Sequence, residues 1–224
     1  MLKQLALLGV LTTALAAQSP LTTTFTGNTS LAAGATVYVD LVVAVPITIT
    51  QIDVNTTAAA TTTGSLDVRW CPTTYVGNDA NAGAWTLGGS GPLVSAGPNL
   101  PTTCAISPFT LVPGNYGLAV THNGVGPLYI LGNGTAVPGS GTNQTYSNAE
   151  LTLLAGATAT AAPGTAICCV PRVFNCNIHY NIAGTGTVAT RTNYGAGCYD
   201  KKASFYEFFA TSAAFDLANT AITM

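Results

Sequence analysis

Few side chains in this sequence can do acid–base or nucleophilic chemistry, and their surroundings limit what they can do. The two histidines are His122 and His179. His122 opens His-Asn-Gly and reads as a solvated turn residue. His179 alternates with Ile178 and Tyr180 and reads as a strand-surface histidine. Neither lies in the context of a nucleophile and an orienting acid that a triad requires. No Gly-x-Ser-x-Gly elbow is present. A glycosidase needs two carboxylates at a set separation. The acids are Asp40, Asp53, Asp67, Asp79, Glu150, Asp200, Glu207 and Asp216. Asp53 and Asp67 fall on the polar phase of alternating strands, so they read as exposed strand charges and not as a dyad. The loop Gly77–Gly83 is rich in oxygen ligands of the kind calcium takes, but Asp79 is its one acid, and it reads as an Asn/Gly turn. Trp70, Tyr75, Trp85 and Tyr129 are candidates for a sugar-stacking platform. Aromatics of this size are more often core, since each buries about 150–250 Å². The expectation is a non-enzyme with no cofactor and no metal.

The six cysteines are Cys71, Cys104, Cys168, Cys169, Cys176 and Cys198. An even number in an exported chain reads as disulfides. Proximity pairs Cys71 with Cys104 and leaves the other four to pair among themselves. No paired Cys-x-x-Cys motif supports a zinc site. Asn28, Asn55, Asn133 and Asn143 each open an Asn-x-Ser/Thr sequon and are candidate glycosylation sites.

These groups must be positioned by strands. Glu, Lys, Arg and Gln, which favour helices, are scarce. Residues 36–43 are β-branched and aromatic, and Pro46 ends the run. Residues 47–54 and 65–70 alternate apolar with polar, the mark of a strand with one dry and one wet face. Ile47, Ile49, Ile52, Val54, Leu66 and Val68 form the dry set. The odd spacing from Ile49 to Ile52 leaves room for a phase slip at a bulge. Further strands fall at 117–121, 127–130, 150–154 and 177–181. Short strands punctuated by Gly, Pro and Asn indicate an antiparallel β-sandwich of jelly-roll type with negligible helix.

The N-terminus reads as a leader. Lys3 precedes the apolar run Leu5–Leu11, and small residues follow at Ala14, Ala16 and Ala17. This is the layout of a secretory signal over residues 1–17, cleaved after Ala16 or Ala17. The run is too short for a spanning helix. The chain past the leader has about 207 residues, enough for one large β domain. Charged residues make up 6% of the sequence, against about 25% in ordinary proteins. The net charge of −2 argues against nucleic acid or an anionic membrane as partner. A hydrophobic fraction of 48% excludes a disordered chain.

The sandwich spans residues 18–182. After it, Ala183–Thr187 reads as a linker, and residues 183–224 form an extension rich in large apolar side chains. Phe205, Tyr206, Phe208, Phe209, Phe215, Leu217 and Ile222 are too few residues to enclose themselves. They are candidates for an assembly tail that packs on a partner copy or folds back on its own sandwich.

The stretches ITITQIDVNT (47–56), TYVGNDANAGAWTLGGSG (74–91), FTLVPGNYGLAV (109–120), NQTYSNAELTLLAG (143–156) and PRVFNCNIHYN (171–181) carry a family likeness. The chain resembles a β-sandwich domain of secreted and cell-surface proteins of planctomycete-type bacteria. The resemblance implies an exported, modular protein with a structural or adhesive role. It also implies that the aromatic tail is the opening of a second module. Two functions follow from the whole reading. One is a secreted or cell-surface structural or adhesive protein, a filament subunit whose partners are copies of itself joined head to tail. The other is a carbohydrate-binding module whose partners are surface glycans.

Overall fold

The computed structural model describes residues 18–132 and 144–183. Cys198, the sequons at Asn133 and Asn143, and the apolar residues of the tail (Phe205, Tyr206, Phe208, Phe209, Phe215, Leu217 and Ile222) lie outside the described residues, as do residues 1–17, read above as a leader.

The described residues form strands β1 (Leu21–Thr22), β2 (Thr29–Ser30), β3 (Thr36–Val43), β4 (Ile47–Val54), β5 (Thr63–Pro72), β6 (Thr86–Val94), β7 (Thr102–Leu111), β8 (Gly114–Asn123), β9 (Leu128–Leu131), β10 (Thr145–Ser147), β11 (Leu151–Ala159), β12 (Cys169–Val173) and β13 (Cys176–Ile182). A single 3-10 turn, Ala82–Ala84, is their only helical element. A four-stranded sheet runs β1-β13-β4-β7, and a nine-stranded sheet runs β2-β9-β12-β11-β3-β8-β5-β6 with β10 beside β11. All pairings between these strands are antiparallel. The fold is an antiparallel β-sandwich. The chain passes between sheets from β1 to β2, β3 to β4, β4 to β5, β6 to β7, β7 to β8 and β12 to β13. The unequal sheets depart from the symmetric eight-stranded jelly roll.

Alternation builds the core. Val37, Val39, Leu41 and Val43 of β3 face Ile47, Ile49, Ile52 and Val54 of β4 in one apolar cluster, joined by Leu66 and Val68 of β5 and Leu118 and Val120 of β8. The six residues expected on the dry face are all fully buried. The expected bulge is present: the β4 register shifts between Ile49 and Gln51 against β7, and opposite it between His179 and Tyr180 of β13. The short strands β1, β2, β10 and β12 and the long strands β6 and β7 were not anticipated. β6 is rich in Gly, Pro and Ser, which read as loop, and Pro108 interrupts β7. The β6 glycines have a packing use: a Cβ on Gly91 would collide with the carbonyl of Ala105, so β6 can approach β7 only without a side chain there.

The outer face of the nine-stranded sheet is also covered. Residues 73–85 lie across it, and Tyr38, Cys71, Tyr75, Trp85, Ala119, Ala157 and Ala159 form a second cluster beneath them. A Cβ on Gly117 would strike the backbone of Thr74 and Tyr75, so glycine lets this loop lie flat.

Candidate functional site

The most organised polar cluster sits on the outer face of the four-stranded sheet, and the bulge creates it. Unbroken alternation from Ile47 would aim Gln51 and Asp53 into the core. The extra residue at Thr50 turns both outward, opposite His179 and Asn177 of β13. His179 Nε2 lies 2.8 Å from Asp53 Oδ2. Asn177 donates to the same oxygen at 2.9 Å, and Gln51 donates to Oδ1 at 2.8 Å. Burial would raise the Asp53 pKa, but the donors Asn177, His179 and Gln51 outweigh it and hold the carboxyl below its ordinary value. The Asp53 side chain is 8% exposed and that of His179 30%. Asp53 is thus a covered, ionised strand residue, which corrects its reading as an exposed charge. The pair can orient an imidazole. Among the described residues, however, no hydroxyl or thiol is hydrogen-bonded to that ring, so the nucleophile a triad needs is missing from the geometry.

Asp67 stands on the other sheet, 3.4 Å from Arg69. It makes no dyad with Asp53.

The other acids fasten the fold. Asp40 on β3 accepts from Thr74 Oγ1 at 2.7 Å and from the Tyr75 amide at 2.9 Å, clamping the start of the 73–85 loop. Burial raises the Asp40 pKa, against the opposing pull of these two donors. Asp79, weighed above as a calcium ligand, accepts instead from the Ile167 amide at 3.0 Å. Glu150 is 3% exposed and accepts from the Tyr180 hydroxyl at 3.0 Å.

His122 is not a solvated turn residue. It closes β8 on the inner face, after Leu118 and Val120, and is fully buried. Its Nδ1 lies 3.2 Å from the Val120 carbonyl, its Nε2 has no partner among the described residues, and its ring meets Phe174 edge-on. Burial lowers its pKa to about 4. The turn comes two residues later, where Gly124 takes a φ of 76°.

The disulfide expectation is corrected for the described cysteines: Cys71, Cys104, Cys168, Cys169 and Cys176 are free thiols. Cys71 and Cys104 cannot pair, because they belong to opposite sides of the nine-stranded sheet. Cys71 lies in the outer cluster and Cys104 in the inner one. Cys176 is also in the inner cluster. Burial raises the Cys71 thiol to about 11 and raises Cys104 and Cys176 as well, which suits small buried side chains better than reagents. The partner side was legible: Leu66 and Val68 face inward, so Cys71, an odd number of residues on, faces outward.

The aromatic platform is not formed by the residues named for it. Tyr75, Trp85 and Tyr129 are buried. Trp85 Nε1 donates to the Asn78 carbonyl at 2.8 Å. Trp70 is half-buried and meets Tyr116 edge-on at 5.6 Å. Of the two described sequons, Asn28 is exposed. Asn55 is 1% exposed, and its amide group donates to the Phe25 carbonyl and accepts from the Asn99 amide. Comparison with protein-family models and with the curated proteins gives no match to this chain.

Proposed function

We propose that this chain is a non-enzymatic, exported structural or adhesive protein whose C-terminal extension joins one copy to the next. One observation carries the reading: the buried acids Asp40, Asp53 and Glu150 are each engaged by donors of the sandwich itself. A carboxylate engaged by its own fold works as a fastening, and a catalytic acid needs a face turned to substrate. The leader-like residues 1–17 support export, and the low charge supports a role among surface polymers more than in nucleic-acid or membrane binding. The tail's apolar residues need a cover, and a neighbouring copy supplies one in a head-to-tail contact that propagates as a fibre rather than closing as a dimer, because donor and acceptor surfaces differ.

Electron microscopy of the exported protein tests this. The chain from Gln18 to Met224 should assemble into filaments. A chain ending at Ala183 should stay folded and remain monomeric. An intact chain that stays monomeric at high concentration, with a truncated chain that unfolds, would show that the extension completes its own sandwich and would overturn the proposal.

A further inference from the structure

We propose that proteolytic maturation builds a site in this protein: cleavage of the Ala17–Gln18 bond frees an α-amino group that docks, as an ammonium, on the buried carboxylate of Glu150. The inference rests on the export reading of residues 1–17 and adds to it the bond that is cut and the group that receives the product. In the cleavage, water adds across the amide. The hydroxyl goes to the Ala17 carbonyl carbon, which leaves as a carboxylate, and the nitrogen of Gln18 takes up the protons.

The geometry is already set around that nitrogen. Gln18 N donates to Glu150 Oε2 at 3.2 Å. The Gln18 carbonyl accepts from Asn148 Nδ2 at 2.9 Å, and its side-chain Oε1 accepts from the Ala149 amide at 3.0 Å. Ser19 Oγ accepts from the Tyr180 amide at 2.9 Å. Asn148 in turn bonds the Tyr180 hydroxyl and the amides of Glu150 and Leu151. Gln18 is thus fastened through its nitrogen and both its oxygens immediately after the small residues of the leader. Glu150 is 3% exposed. Among the described residues the ion pairs are Arg69–Asp67 and His179–Asp53, so no described cation answers Glu150. A buried carboxylate without a cation is costly. A chain beginning at Gln18 places the missing charge on the atom that already touches Oε2. A chain beginning at Ala17 leaves a neutral amide there and moves the charge about 3.8 Å along the backbone. The small-residue pattern allows either cut, and Glu150 selects the second.

The pH dependence has a definite sign. An α-amino group titrates near 8 when free, and a carboxylate partner raises that value. Its stabilisation is complete below about pH 8 and is lost as pH rises through the folded value. The neighbouring ionisable groups do not confuse the reading. Tyr180 is pushed up to about 12 by burial and by Glu150. Tyr146 on β10 is raised by burial. The β3–β4 connection, whose Ala44 amide bonds the Glu150 carbonyl, carries no ionisable side chain.

The test compares two purified chains, Gln18–Met224 and Ala17–Met224, each released from a removable N-terminal tag so that export plays no part. Near pH 7 the Gln18 chain should melt about 3–8 °C higher. The gap should close above about pH 10 and be absent between the same two chains carrying Glu150→Gln. If Glu150→Gln does not fold, Nα-acetylated Gln18–Met224 replaces it and should melt with the Ala17 chain. Equal midpoints near pH 7, or a gap that acetylation leaves intact, overturn the site. Mass spectrometry of the N-terminal peptide of exported protein should find Gln18 first, and Ala17 first overturns the assigned bond. An uncut leader counts against the export reading, and the comparison of the two purified chains still judges the site.

Discussion

On its inner face the nine-stranded sheet buries aliphatic side chains against a second sheet, and on its outer face it buries aromatic ones beneath a single loop. The inner cluster draws on strands in both sheets, so each member has partners from several parts of the chain. The outer cluster depends on residues 73–85, which bring Tyr75 and Trp85 onto Tyr38 with ring centroids 5.8 and 5.4 Å away. Two acids fix that loop: Asp40 holds its start, and Asp79 ties it to the segment before β12. Area holds the first face and a few charged hydrogen bonds hold the second. The two faces should therefore fail differently, the inner one globally and the outer one locally.

The largest effect should come from the inner face. Leu66→Ala opens a cavity at a fully buried position and should cost about 2–5 kcal/mol, read as a lowered midpoint in urea unfolding with an unchanged slope. A change confined to the loop would contradict the division drawn here.

The next effect is acid sensitivity seated in the inner face. His122 is held neutral in the fold with a pKa of about 4, below its unfolded value of about 6.5. Its neutral burial is therefore fully tolerated above about pH 6.5, and stability is lost as pH falls from there toward 4, by about 3 kcal/mol in all. Thermal unfolding across that range should show the loss, and His122→Leu should flatten it. An equally steep curve for His122→Leu would place the sensitivity elsewhere.

The smallest effect sharpens the outer face. Asp40→Ala removes both hydrogen bonds that hold the start of the loop, leaves the Asp79 tie, and should cost about 1–3 kcal/mol. Limited proteolysis should then cut within 73–85 while the rest of the sandwich resists. Cutting spread over both sheets would show that the faces are coupled.

Much of the inner face was legible in the chain. The alternation in β4 and β5 named the buried residues, and the spacing from Ile49 to Ile52 gave the bulge. The same rule, carried further, would have put Cys71 outward and His122 inward, at the end of Leu118, Val120, His122. His122 was read instead from its neighbours Asn123 and Gly124, whose turn begins two residues later, at Gly124. The Asp53 cluster was half legible. The bulge fixed which way Asp53 points, but its donors Asn177 and His179 lie more than a hundred residues away in sequence.

What the sequence determined by itself is the phase of each strand, because side chains alternate with a period of two whatever lies above them. It determined the antiparallel β class for the same reason. Whether the second face of a strand stays wet was decided by the tertiary structure. Tyr38 and Asp40 have the phase of exposed residues and are buried, because a loop that begins more than thirty positions later returns to cover them. Such a contact leaves no periodic trace in either segment: it depends on the register that sets β3 beside β8 and β8 beside β5, and on a glycine at 117 that lets the loop close over them.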